Sequence, residues 1–162
     1  MNIDKQWIAA HIPHQGSMCL LDHVLSWNSE RMIAIATSHT AADHPLRAHD
    51  WLGAANGIEY AAQAMAVHSA LLATSQPGAA DMKRPQAGFL ASVRNTTLHV
   101  ARLDDLQEAL QIEVVCTHSE PNCILYQFSL RGNDTQQPLL EGRATIIIDA
   151  AMVANNIGAT AS

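Results

Sequence analysis

Trp51-Leu-Gly-Ala-Ala-Asn-Gly-Ile-Glu-Tyr-Ala-Ala-Gln-Ala-Met-Ala-Val-His-Ser-Ala-Leu-Leu-Ala73 decides how the rest of the chain must fold. It is apolar on every side and rich in small residues, and it predicts one helix running to about Thr74, where Ser75-Gln-Pro-Gly78 stops it. Asp50 stands where an N-cap is expected. Gly53 and Gly57 each cost a helix about 1 kcal/mol relative to alanine, so they imply close approach of another backbone or of a ligand. The one acid is Glu59, set among Ile58, Ala61, Ala62 and Met65. A carboxyl group there must be paired, exposed by a local opening, or held protonated with a raised pKa, and the last state suits a general acid. A structural pair with Arg47 or Arg94 is the other reading of the same residue.

Working outward, short strand-like segments flank this helix. Val24 to Trp27 and Arg31 to Thr37 read as a hairpin, and Trp7 to His11 as a short helical turn ended by Pro13. Beyond the loop Ala79 to Pro85 come Ala87 to Val100, Leu110 to Thr117, Cys123 to Leu130 and Leu139 to Asp149, with a hairpin turn at Arg131-Gly-Asn-Asp134. One long apolar helix followed by an antiparallel meander is an α+β layout in which the sheet must curl round the helix. Residues 1–162 read as a single domain, with a frayed tail from about Met152.

Composition narrows the function classes. Of 162 residues, 48% are hydrophobic and 15% charged, with a formal charge of -6, so part of the apolar surface is expected to be buried in an oligomer. Lys and Arg are scattered singly, which argues against nucleic acid. The polar start at Asp4, Lys5 and Gln6 and the lack of a span-length apolar run give an expectation of a cytoplasmic protein not bound to a membrane. Cys19, Cys116 and Cys123 are an odd number without C-x-x-C spacing and are expected to be buried thiols. His11 and His14 have an H-x-x-H spacing, but no Cys or carboxylate partner set accompanies them, and no metal is expected.

Three stretches carry a family resemblance. Ile12-Pro-His-Gln-Gly-Ser-Met-Cys-Leu-Leu-Asp-His-Val24 is similar to the opening Leu-Pro-His-Arg segment of hotdog-fold 3-hydroxyacyl-acyl-carrier-protein dehydratases. Gly57-Ile-Glu-Tyr-Ala-Ala-Gln63 resembles their central-helix motif of Glu followed four residues later by Gln, and Gly142-Arg-Ala-Thr-Ile-Ile-Ile148 their last strand. The likeness is to the divergent branch found in aryl-polyene pigment clusters. It implies a hotdog fold and removal of water from carrier-bound 3-hydroxyacyl chains in fatty-acid or polyene biosynthesis. It also implies an acyl carrier protein as partner and a homodimer or a heterodimer with a hotdog paralogue. No metal or organic cofactor is required.

The family's Gly-His-Phe-Pro segment is not preserved: the aligned region reads Asp43-His-Pro-Leu-Arg-Ala-His-Asp-Trp-Leu-Gly-Ala54, without the turn prolines. Glu59 therefore carries over as the acid, while the base has three candidates, His14, His44 and His49, of which His14 has the best-preserved surroundings. A neutral histidine can take the proton beside the thioester carbonyl, and a protonated carboxyl can release the hydroxyl as water. Amides near Gly53 and Ala54 are expected to bind the thioester oxygen, Gly57 to leave room for a tunnel along the N-terminal half of the helix, and Gln63 to orient the acid or bind substrate. A thioesterase using Glu59 to activate water, and a non-catalytic subunit supporting a dehydratase partner, are the alternatives.

Overall fold

Alternation along the last strands sets the architecture. Leu110, Ile112 and Val114 are buried while Gln111, Glu113 and Val115 are less so, and Ile124, Tyr126, Phe128 and Leu130 are buried between exposed Leu125 and Gln127. A period of two with one buried face demands a sheet covered on one side. The computed structural model, which describes residues 2–78 and 88–148, supplies that cover as a helix. In chain order the elements are α1 (Lys5–His11), β1 (His23–Trp27), β2 (Arg31–Ala36), α2 (Gly57–Thr74), β3 (Gly88–Leu98), β4 (Leu110–Glu120), β5 (Cys123–Gly132) and β6 (Pro138–Ile148). The strands form one antiparallel sheet in the order β1-β2-β4-β5-β6-β3. This is the hotdog arrangement, one long helix against a six-stranded sheet. The loop expected at 79–85 and the tail expected from 152 lie outside the described residues.

Helix α2 contributes Tyr60, Ala61, Ala64, Met65, Val67 and Leu71 to the core, against Met32, Ile112, Val114, Phe128 and Leu130 of the sheet. Burying each large side chain of this set contributes about 1.5–3 kcal/mol. Gly57 is required by packing: a Cβ there would overlap the Leu140 side chain and lie 3.2 Å from Leu130 Cδ2. That glycine lets the sheet approach, so it does not open a tunnel as the sequence suggested.

The helix also begins later than expected. His49 and Asp50 both adopt left-handed backbone, φ 52° and 62°, in a tight turn closed by Ala48 N to Trp51 O and Trp51 N to Ala48 O, 3.0 and 3.1 Å. Asp50 is thus a turn residue and not an N-cap. The physical reason is tertiary: Leu52 O accepts from Leu103 N at 2.9 Å, Ala54 N donates to Ala101 O at 3.0 Å, and Leu52 N donates to Asp104 Oδ1 at 3.1 Å. These pairings fix the approach to the helix, with Gly53 extended, and a 3-10 turn, Ala54–Asn56, then feeds α2. Asp104 itself is buried between Arg47, at 3.1 Å, and Arg102, whose guanidinium holds its carboxyl well below the usual carboxylate range.

Three histidines sit inside this fold with little or no exposure: His39, His44 and His68. Burial is the first cause lowering each below the ordinary imidazole pKa. His68 is held neutral by geometry, donating through Nε2 to Asn28 O at 2.8 Å and accepting at Nδ1 from Tyr126 Oη at 2.9 Å. The unfolded chain therefore binds protons at a higher pH than the folded one does. The stability from these groups is complete above about pH 6.5 and is lost as pH falls below it, at about 1.4 kcal/mol per unit for each histidine fully engaged. Urea midpoints should accordingly drop between about pH 7.5 and about pH 5.5, before most carboxylates titrate. A flat midpoint across that window would exclude burial of the three as neutral rings.

Candidate active site

Helix α1 ends on His11, whose Nδ1 bonds Trp7 O at 2.7 Å and whose ring stacks on Trp7 at 3.8 Å. Ile12 and Pro13 then carry the chain across to the first turn of α2. The next residue, His14, meets Glu59 there, with Nε2 to Oε1 at 3.0 Å and side-chain exposures of 25% and 32%. Gln63, one turn further along and fully buried, lies on the same face of the helix. Its Nε2 donates to Glu59 Oε1 at 3.0 Å and to Met18 O at 2.7 Å, and its Oε1 accepts from Leu20 N at 2.9 Å. One amide side chain thus joins the acid to the loop that carries His14.

Electrostatics decide between the expected states of the acid. Of the three states open to Glu59, it takes the paired one, and its pKa is lowered where a resting general acid would have it raised: the His14 hydrogen bond is the main cause, burial opposes it, and the Gln63 hydrogen bond adds to it. Without substrate the carboxyl is ionised and Nε2 of His14 carries the proton. In the neutral ring this leaves Nδ1, buried and without a protein partner, as the lone-pair nitrogen.

The pair opens onto a cavity of about 510 Å³ whose far walls are Ala62, Ala66, Leu90 and Ile146. Glu59, Ala62 and Ala66 recur at helical spacing, so the cavity follows one face of α2. Gly53, Ala54, Gly57 and Gln63 do not line it. The Ala54 amide is already bonded to Ala101 O, Gly53 is bridged to Arg102, Gly57 faces Leu140, and Gln63 spends its amide on protein groups. Neither arginine pairs with the acid: Arg47 holds Asp104, and exposed Arg94 lies opposite Arg143 on β6.

The other histidines are elsewhere. His49 is exposed in its turn. His44 is buried and linked to Tyr60, the neighbour of Glu59 in sequence but on another side of the helix. Its Nδ1 accepts from Leu46 N at 3.0 Å, so Nε2 donates to Tyr60 Oη at 2.9 Å; the phenol bonds Ser38 Oγ at 2.7 Å, and Ser38 donates to Leu20 O at 2.8 Å. The Leu20 peptide is therefore gripped from both sides, by Ser38 at its carbonyl and by Gln63 at its amide. Sequence reasoning missed Ser38 and this role of Tyr60, since nothing in their spacing links residues so far apart along the chain.

A family model for ApeP-like proteins, described as ApeP dehydratase, matches residues 6–154. The chain belongs to this dehydratase family. Among solved structures it is similar to the dehydratase heterocomplex ApeI:P from Xenorhabdus doucetiae, with 18% identity over 87% of this chain and 90% of that one and a TM-score of 0.73. It is also similar to the E. coli PaaI protein of the phenylacetic acid degradation operon, at 10% identity, 88% of each chain and a TM-score of 0.58. Zebrafish thioesterase superfamily member 2 gives 14% identity, 89% and 94% coverage and the same TM-score. At these identities the structures establish the shared fold. A search of curated proteins finds no match.

Gln63→Leu keeps the volume at the junction but leaves the Leu20 amide and the Met18 carbonyl unpaired. The buried Leu20 amide so stranded costs about 1–3 kcal/mol, and the part-buried Met18 carbonyl less. Urea unfolding should show that loss, and a change under about 0.5 kcal/mol would show that the loop finds other partners.

Proposed function

We propose that this protein removes water from 3-hydroxyacyl thioesters carried on an acyl carrier protein, giving 2-enoyl thioesters, with His14 as base and Glu59 as acid. The observation that carries the reading is the His14–Glu59 contact, 3.0 Å, at the end of an apolar cavity in a chain of a dehydratase family. An acyl chain entering the cavity displaces water from the pair. Desolvation, which already opposes the charge on Glu59, then favours the neutral carboxyl, which takes up a proton from solvent, and the neutral His14 ring, no longer donating to a carboxylate, is free to present a lone-pair nitrogen as base. The base takes the proton from C2, the C2–H electrons form the C2–C3 double bond, and the C3–O bond breaks as Glu59 delivers its proton to leaving water. Gln63 keeps the carboxyl in place throughout.

The assembly is a homodimer or a heterodimer with a hotdog paralogue. Support comes from β3, an eleven-residue strand at the sheet edge with most of its residues exposed, and from the heterocomplex named for the similar ApeI:P structure. An unpaired edge of that length invites a partner strand. The ionised state of Glu59 keeps one second reading in view, a thioesterase in which the carboxylate activates water.

Mass spectrometry of a carrier-bound 3-hydroxyacyl thioester after incubation with the purified assembly tests this. Loss of one water is the expected result, and loss of the whole acyl group would mean a thioesterase. Glu59→Gln and His14→Asn should each slow dehydration by about 10²- to 10⁴-fold with the fold intact. Full activity of Glu59→Gln in an assembly with a paralogue would make this chain the supporting subunit.

A further inference from the structure

The cavity at His14 and Glu59 shares part of its wall with a second, more open one. A second cavity, about 450 Å³, is lined by Leu72, Gln76, Ser119 and Ile124 near the C-terminal end of α2, and it shares two wall residues with the first, Ser69 and Ile148. Glu59, Ala62, Ala66 and Ser69 continue the same helix face, so the junction lies about 15 Å along the axis from the acid. Beyond it the walls become more polar and meet solvent.

Ser69 is also unlike the other hydroxyls near the end of this helix. Thr74 and Ser75 bond back to helix carbonyls at 2.6–3.1 Å, whereas among the described residues Ser69 Oγ has only a 3.5 Å contact to Tyr126 Oη. The phenol proton is already given to His68. Ser69 is therefore a small side chain, loosely held, standing between two compartments that would be separated by a larger one.

We infer that the Ser69–Ile148 junction sets the acyl-chain length this protein accepts, holding open a passage through which long chains extend from the first cavity into the second. The inference rests on the dehydratase reading for the identity of the ligand, an acyl thioester. Short chains end before the junction, against walls that include Ala62, Ala66, Leu90 and Ile146. Long chains must pass Ser69. Filling the junction from either wall therefore penalises long chains selectively.

The test is competition binding of octanoyl- and palmitoyl-pantetheine to the purified full chain, together with any hotdog partner that copurifies. Ser69→Leu closes the passage from the helix and Ile148→Phe closes it from β6, so a folding failure in one, read by circular dichroism, leaves the other to report. The ratio of palmitoyl to octanoyl affinity should fall by about 10- to 100-fold in the folded variants, the range available to a hydrophobic pocket. An unchanged ratio in a folded variant would overturn the passage. Binding is read without turnover, so a wild-type protein that binds both thioesters yet dehydrates no 3-hydroxyacyl substrate would refute the reaction while the ratio still decides the junction.

Discussion

Helix α2 is enclosed on most sides, so any polar group it carries must find its partner within the protein. This constraint orders the structure. Tyr60, Gln63 and His68 are fully buried on this one helix, and each is bonded to a different part of the chain: Tyr60 to Ser38 and His44, Gln63 to the 18–20 segment, His68 to Asn28 and Tyr126. The polar residues of the helix thus act as directional pins in a contact surface that is otherwise apolar and non-directional. Leaving any of them unpaired would carry the desolvation cost of a buried polar group.

Glu59, unlike these three, reaches a cavity. Its charge is sustained by two donors, His14 and Gln63, against the cost of partial burial. Such a carboxyl is poised between states, since the same surroundings that hold it ionised when wet favour its neutral form once an apolar chain replaces water. The supporting shell is rigid where the His14–Glu59 pair is not fully covered: Gln63 is locked by three hydrogen bonds, and Leu20, which it grips, is also held by Ser38. That division between a fixed frame and a solvent-sensitive pair is what the proposed acid–base chemistry would need.

Just ahead of α2, Asp104 has a comparable organising role. It receives the Leu52 amide and both Arg47 and Arg102, and so fixes the segment that precedes α2. The left-handed pair His49 and Asp50 turns the chain into that segment. Local capping chemistry at Asp50 was outcompeted here by pairing with residues far along the chain.

What the sequence by itself determined follows from local physics. The alternation in β4 and β5, the Ser75-Gln-Pro-Gly78 stop and the largely apolar, small-residue character of α2 needed only the chain's own periodicity, and they specify a helix against an antiparallel sheet. His14, Glu59 and Gln63 were legible through motif resemblance, and they do meet in space. Only the tertiary structure decided the rest. The start of α2 at Gly57 depends on pairing with residues 101–104; the face along which the cavity runs depends on Leu140 filling the space beside Gly57. The ionised state of Glu59 depends on His14 standing 3.0 Å away, and the bond from His44 to Tyr60 on a loop folding back over the helix. Periodicity and motifs are properties of neighbouring residues, whereas charge state, open volume and hydrogen-bond partners belong to groups that only the fold brings together.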